Sequence, residues 1–197
     1  MSEITDNYRM LANGLLDQIR TTPPDRWEAP SPCDGWSARQ VVAHVINGHR
    51  GILAMVDGLP PVPADGVGIA PMADAPTVDP DADLVVAFQR CRDDMVAMLD
   101  DPRRAAAPLP GGPLGPVPVQ HAVDVIGSLE LLVHTWDLAR AVGADEKLDP
   151  DQIARTHRGL LPHYEALQRT QAFRPSIPAP TKADPQTAFL YFVGRRP

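Results

Sequence analysis

The sequence has few cysteines and shows no pattern of a disulfide framework. Cys33 and Cys91 are the two cysteines of a 197-residue chain, and they lie far apart. The N-terminus has no basic segment followed by an apolar segment, so it does not read as an export signal. Disulfides persist in exported proteins and are rare in the cytosol. We therefore expect two free thiols and a cytoplasmic protein.

The sequence also lacks a basic cluster and a long apolar run. Its formal net charge is -7, and its Lys and Arg residues gather no more densely than in pairs such as Arg103-Arg104 and Arg195-Arg196. Nucleic acid is bound through clustered basic side chains, so we expect no nucleic-acid partner. No apolar stretch approaches the roughly 20 residues of a membrane-spanning helix, so we expect no membrane partner either.

Strand-period alternation is absent beyond a few residues, whereas helical periodicity recurs between proline-rich segments. Prolines interrupt helices, so the 23 prolines mark where helices begin and end. Ser37 and Gln40 form a capping box at the start of the second helix, and Gly143 is placed to cap the fourth. Pro162 predicts a break in the fifth. Helices are predicted over residues 4–20, 38–56, 81–101, 119–142, 149–169 and 184–194.

This pattern predicts an all-α protein built as a four-helix bundle with a short C-terminal helical extension. We place the bundle in residues 1–146 and the extension, packed on the bundle, in residues 147–197. Residues 58–80 hold too many prolines and glycines for regular structure. A connection of this length is typical of a lid, a binding loop or a disordered excursion, and these alternatives stay open. Residues 102–118 and 173–180 are also predicted to be irregular or extended.

An ionisable pair lies in the most apolar predicted helix. Glu130 and His134 are four residues apart in the stretch SLELLVHTWDLAR. Four helical residues advance by 400°, which leaves these side chains about 40° apart around the axis and roughly 6 Å apart along it. A buried carboxylate needs compensation because the loss of its hydration costs several kcal/mol. A divalent cation would supply that compensation.

The second helix offers a third ligand for such a cation. His44 lies close to the apolar stripe of QVVAHVINGHR, and His49 is about 140° away around the helix axis, so one of the two can face the same ion. We choose His44 because it lies deeper in apolar surroundings. Metal sites of helical bundles are assembled in this way from Glu and His of facing helices. His44, Glu130 and His134 would leave coordination positions open, as in catalytic sites.

Three segments of the chain together resemble one known family. They are PSPCDGWSARQVVAHV, ELLVHTWDLARAVG and ADPQTAFLYFVGRRP. The chain is similar to the metal-binding proteins of the mycothiol-dependent maleylpyruvate isomerase family, within the DinB-like four-helix-bundle superfamily. The resemblance implies a metal site formed by His44, Glu130 and His134. It also implies zinc as the cofactor, while this ligand set suits nickel, iron or manganese as well.

The resemblance implies that the metal activates a low-molecular-weight thiol, mycothiol, as a cosubstrate acting on a small-molecule substrate. Isomerases of this type add the thiolate to an unsaturated diacid and release it again, and transferases leave it attached. Two alternatives stay open. One is a metal-dependent hydrolase that uses metal-bound water. The other is a non-catalytic, stress-related bundle that binds a small ligand. Formation of a homodimer is also left open.

The remaining polar residues have simpler interpretations. Asp137 is expected to be solvated or paired with Arg140, and the less favoured interpretation makes it a hydrogen-bond partner of His134. Cys33 is expected to be a buried structural thiol and not a nucleophile. The other expectations are packing for Trp136, an inert core position for Cys91, a capping or surface role for His121 instead of a cleft, and surface positions for His157 and His163.

Overall fold

The computed structural model describes residues 2–109, 114–170 and 174–197, and they form a helical bundle, which confirms the all-α prediction. Residues 110–113 of the predicted irregular segment and residue 173 of the predicted extended segment lie outside the described residues. In chain order the helices are α1 (Glu3–Thr21), α2 (Ala38–Val56), α3 (Leu84–Asp100), α4 (Pro102–Ala105), α5 (Val119–Ala122), α6 (Ser128–Val142), α7 (Pro150–Leu160), α8 (Tyr164–Gln168) and α9 (Pro185–Phe192).

Short irregular elements separate these helices. Turns of 3-10 helix occur at Pro24–Arg26 and at Leu161–His163, and the second of them confirms the break that Pro162 predicts. The described residues also contain one very short sheet, which is consistent with the absence of longer strand-period alternation in the sequence. Two residues, Pro108–Leu109 (β1), pair with Val117–Pro118 (β2) in an antiparallel arrangement. Prolines can occupy such edge positions because no further strand needs their missing N–H groups.

Side chains at the helix ends explain where the main helices start and stop. The backbone N–H of Ser37 donates to the Gln40 side chain at 3.0 Å, as the capping box predicts. Asp83 accepts a hydrogen bond from the backbone N–H of Val86 at the start of α3. Gly143 ends α6 in the left-handed conformation, at φ 76°, which glycine adopts without steric cost.

A π-helical turn interrupts the helix predicted over residues 119–142. Val123–Gly127 form this turn between α5 and α6, so the prediction of one regular helix is wrong here. A π turn inserts one residue into the helical repeat and changes the direction in which the following side chains point. The Ser128 hydroxyl directly after the turn accepts a hydrogen bond from the Asn7 side chain of α1 at 3.0 Å. Glu130 follows within the first turn of α6.

Four long helices enclose the core. α1 and α2 each pack against both α3 and α6. The side chains at the centre are fully buried and largely apolar, among them Tyr8, Leu15, Ile46, Phe88, Met95, Leu131 and Trp136. Trp136 therefore has the packing role that the sequence predicts. Within the described residues, no helix has both the length and the apolar character needed to cross a membrane.

Two further segments are attached to the bundle by polar contacts. In the 58–80 connection, Arg50 of α2 donates to the Ala64 carbonyl at 2.7 Å and pairs with Asp65. Near the C-terminus, the Gln186 side chain of α9 accepts from the backbone N–H of Leu148 and donates to the Glu146 carbonyl. The division of the chain at residue 146 stays a prediction.

Truncation of a central leucine tests this core. Leu15 is fully buried in α1, so Leu15→Ala should lower the free energy of unfolding by about 2–5 kcal/mol. Leu59, which is 64% exposed, provides the matched control, and Leu59→Ala should change it by less than about 0.5 kcal/mol. Urea denaturation followed by circular dichroism measures both, and equal losses would contradict this placement of the core.

Candidate metal centre

Three side chains from two neighbouring helices meet at one point inside the bundle. His44 of α2 and Glu130 and His134 of α6 each offer one ligand atom, and these atoms all lie within 4.8 Å of one another. The two histidines are buried, each with 5% of its surface exposed. The Glu130 side chain keeps 24% exposure, so the cluster is open to solvent or a ligand on one side.

Helix packing and local contacts bring these residues together. α2 and α6 lie side by side, and the four-residue spacing places Glu130 and His134 on one face of α6. The ring of Trp36, just before α2, lies 4.8 Å from the His44 ring and limits its orientation. The rings of His44 and His134 are 5.0 Å apart in an edge-to-face arrangement. Both imidazoles therefore approach the Glu130 carboxylate from different directions.

The donor atoms have the spacing of ligands on a shared ion. Oε2 of Glu130 lies 3.0 Å from Nε2 of His44 and 3.2 Å from Nε2 of His134. Two ligand atoms at about 2.05 Å from a tetrahedral zinc ion are about 3.3 Å apart. Two nitrogens and one carboxylate oxygen also form a ligand set that zinc and related divalent ions accept. The residues present therefore fit a divalent metal ion.

The charges of the cluster are strongly coupled. Burial acts to raise the pKa of Glu130, but hydrogen bonds from His134 and His44 hold that pKa well below its usual value. Burial acts to lower the pKa of His134, but its hydrogen bonds to Asp137, Cys33 and Glu130 raise that pKa well above its usual value. A cation that binds Nε2 of His134 must displace a proton, as is general for histidine ligands.

Asp137 holds His134 from the side opposite Glu130. Nδ1 of His134 donates to Oδ2 of Asp137 at 2.9 Å, and Asp137 is fully buried. The expectation of a solvated Asp137, or of a pair with Arg140, is therefore wrong. Its charge is compensated by Arg195, which donates from two nitrogens at 2.9 and 2.8 Å. A carboxylate in this position fixes the ring so that Nε2 presents its lone pair to an ion.

Sequence reasoning missed Arg195 because it lies 58 residues from Asp137. Arg195 is only 8% exposed, but helical periodicity gives no indication that an arginine near the end of the chain is buried. The three-residue spacing could have identified Asp137 as a partner of His134. Which arginine pairs with Asp137 depends on how residues 174–197 pack against the bundle. Burial acts to raise the pKa of Asp137, but hydrogen bonds from His134 and Arg195 hold that pKa below its usual value.

A second group with potential metal ligands adjoins the first. It consists of Cys33, His134 and Asp137. Here Oδ2 of Asp137 already accepts hydrogen bonds from His134, from Arg195 at 2.8 Å and from the Cys33 thiol at 3.4 Å. A cation in this group would compete with the Arg195 guanidinium for the same carboxylate. The first cluster is therefore the better candidate for a metal site, and Cys33 is the buried thiol that the sequence predicts.

The other histidines lie apart from the three candidate metal ligands. His49 is buried, and its Nδ1 donates to the Val45 carbonyl at 2.7 Å, so the structure brings His44 and not His49 to Glu130. His121 contacts the His163 ring, and neither imidazole lines the cavity beside the cluster. His157 and His163 are half-buried, and His157 packs against Phe192, so their placement at the surface is only partly correct.

A polar cavity of about 270 Å³ opens beside the three donors. Its walls include Cys33, Trp36, Arg174 and Arg195. Asp34 also borders it and pairs with Arg174 at 3.2 Å. Charged and hydrogen-bonding groups thus surround the position where a ligand would approach a bound ion. This arrangement can hold a cation together with a polar small molecule.

Comparisons with known proteins identify the family of the chain. The chain is 26% identical over 194 residues to the uncharacterized proteins Rv0738 and MT0763 of two Mycobacterium tuberculosis strains, which covers 92% of this chain and 90% of each relative. No solved structure shows significant similarity to it. Residues 8–139 match the family described as the mycothiol maleylpyruvate isomerase N-terminal domain, and they include all three donors. The chain therefore belongs to the mycothiol maleylpyruvate isomerase N-terminal domain family.

Proposed function

We propose that this protein is a divalent-metal-dependent enzyme that uses a low-molecular-weight thiol of the mycothiol type in an isomerase or transferase reaction. The convergence of His44, Glu130 and His134 within 4.8 Å carries the proposal, because it provides three ligands and leaves room for an external one. Membership of the mycothiol-related family supports the choice of thiol. Zinc is the proposed ion, with nickel, iron or manganese compatible with the same ligands.

The bound ion would lower the pKa of the thiol so that thiolate is present near neutral pH. The residues of the chain position the partners. Glu130 contributes one negative charge to the ligand set, and the two histidines contribute neutral nitrogens once His134 has lost its proton. Asp137 and Arg195 keep the His134 ring in place through their buried hydrogen bonds.

The polar cavity suits the body of such a thiol. Arg174 and Arg195 offer donors to hydroxyl or carbonyl oxygens, and Asp34 offers acceptors. Trp36 also lines this cavity and contacts the His44 ring. These groups would orient a polar thiol so that its sulfur lies at the three metal-binding side chains, while its polar part contacts the cavity wall.

Two reaction types follow from a thiolate held in this way. In an isomerisation, the sulfur forms a bond to one carbon of a conjugated double bond, and the electron pair moves to the conjugated carbonyl group. Rotation and loss of the same carbon–sulfur bond then regenerate the thiolate. In a transfer, the sulfur keeps its new bond to carbon, and the leaving group departs with its electron pair.

Metal content tests the ligand set. Untagged protein dialysed against zinc should hold about one ion per chain, and His44→Ala or His134→Ala should abolish this binding because each removes a ligand. His121→Ala is the matched control, since His121 lies outside the cluster and should leave the content unchanged. Elemental analysis by mass spectrometry measures all four proteins. Full zinc content in both ligand variants would rule out this site.

A spectroscopic experiment tests thiol binding. Mycothiol added to the cobalt-substituted protein should shift the cobalt d–d absorption and add a sulfur-to-cobalt charge-transfer band. The Cys33→Ser variant should behave identically, which excludes the protein's own nearby thiol as the sulfur source. An unchanged spectrum on addition of thiol would favour a hydrolase or a non-catalytic binding protein.

Removal of the buried arginine tests the support of His134. Arg195→Ala leaves Asp137 buried without its cation, so we expect about a 10–100-fold loss of zinc affinity. Arg196→Ala is the neighbouring control, because Arg196 is exposed. Competition with a chromogenic chelator measures the affinity, and thermal denaturation shows whether each variant is folded. Equal affinities of the two variants would contradict the role of Arg195.

A further inference from the structure

A second cavity, apolar and larger than the polar one, also reaches Glu130. It encloses about 420 Å³ between α2, the 58–80 connection, the β1–β2 pair and the turn before α6. This volume lies in the range of small-molecule binding sites, which is roughly 300–1,000 Å³. Its apolar walls include the side chains of Ile52, Met55, Ile69, Met72, Val117 and Ile126.

The described residues that line this cavity include no lysine and no arginine. The two ionisable side chains among them are the proposed metal ligand Glu130 and His49. Burial lowers the pKa of His49, and Nδ1 of its ring donates to the Val45 carbonyl, so the imidazole is neutral. A carboxylate placed among these apolar walls, away from the proposed metal ligands, would lose its hydration without gaining a positive partner, which costs several kcal/mol.

Polar contacts at the edge of the cavity hold its outer wall in position. The Asn47 side chain of α2 donates to the Ala70 carbonyl at 2.8 Å. Asp65 of the same connection accepts from Arg50 at 2.6 Å and from Arg90 at 2.7 Å. The 58–80 connection is thus joined to α2 and α3, and its residues Ile69 and Met72 line the cavity.

The apolar cavity and the polar cavity meet at the proposed metal ligands. Glu130 and Met72 line both of them. A molecule in the apolar cavity would therefore place one end at the Glu130 carboxylate, whose Oε2 atom lies within 3.2 Å of both donor nitrogens. A thiol in the polar cavity would approach the same point from its own cavity.

We propose that the apolar cavity binds the second substrate, and that this substrate is an uncharged apolar electrophile, such as an α,β-unsaturated ester or ketone, and not a dicarboxylate. The reaction of the bound molecule rests on the proposed function. The thiolate sulfur bonds to the electron-poor carbon, and the π electron pair of the double bond moves onto the conjugated carbonyl group. After rotation this pair returns, the carbon–sulfur bond breaks, and the thiolate leaves. The selection of an uncharged molecule follows from the cavity itself.

Binding of a matched pair of probes to metal-free protein tests the cavity without any thiol. Methyl cinnamate is an uncharged unsaturated ester, and cinnamate is the corresponding carboxylate. Isothermal titration calorimetry should show binding of the ester and at least about tenfold weaker binding of the acid, which corresponds to about 1.4 kcal/mol. Equal affinities, or tighter binding of the acid, would overturn the proposal.

Two glycine variants locate the bound ester. Gly51 lines the cavity, and a Cβ atom added there has no neighbour within 4 Å, so Gly51→Leu should fill the space without displacing the backbone. We expect at least about a tenfold loss of ester affinity. Gly14 of α1 is exposed and equally free of neighbours, so Gly14→Leu is the matched control and should bind as the unchanged protein does.

A variant with an added charge gives an independent result if the leucine of Gly51→Leu disturbs folding. Met55 lies at the cavity edge and is 43% exposed, so a lysine is tolerated there, and Met55→Lys should reduce the preference for ester over acid. An unchanged preference, or undiminished ester binding in folded Gly51→Leu, would contradict this binding site. If the ester binds but thiol does not change the cobalt spectrum, the proposed function is rejected, whereas the proposed binding in the apolar cavity stands.

Discussion

The carboxylate of Glu130 lies between two imidazoles in the interior of a helical bundle, and the cost of burying that charge constrains everything around it. Nε2 of His44 and Nε2 of His134 approach the same oxygen, at 3.0 and 3.2 Å. Without an ion, a proton on His134 compensates the charge, and its raised pKa reflects this. A divalent cation would replace that proton and satisfy all three groups, since each then becomes a ligand.

The same electrostatic requirement extends from the bundle to the end of the chain. His134 is held by Asp137, and the second buried carboxylate requires its own cation, which Arg195 supplies. Truncation of one member of such a buried pair leaves an uncompensated charge. The C-terminal segment therefore does more than cover apolar surface, because the orientation of a proposed metal ligand depends on its arginine.

The sequence predicts much of the bundle and the three candidate metal ligands, but not the residues and turns that surround these ligands. Helical periodicity and prolines locate the long helices, and the spacing of Glu130 and His134 places them on one face. The metal role of the three donors stays a prediction. Arg195 was missed because its contact with Asp137 joins distant parts of the chain. The π turn at Val123–Gly127 was missed because its residues have ordinary helical periodicity.

The two cavities that meet at Glu130 differ in the chemistry they can bind. On one side, Arg174, Arg195 and Asp34 offer charged and hydrogen-bonding groups to a polar molecule. On the other side, the described walls offer no cation and are formed largely by apolar side chains from α2 and the 58–80 connection. A single site that had to accept both a polar thiol and an apolar electrophile would bind each of them poorly, since polar groups left unpaired are costly. Separate cavities that share Glu130 avoid this conflict, because each reactant keeps matching surroundings up to the point where sulfur and carbon meet.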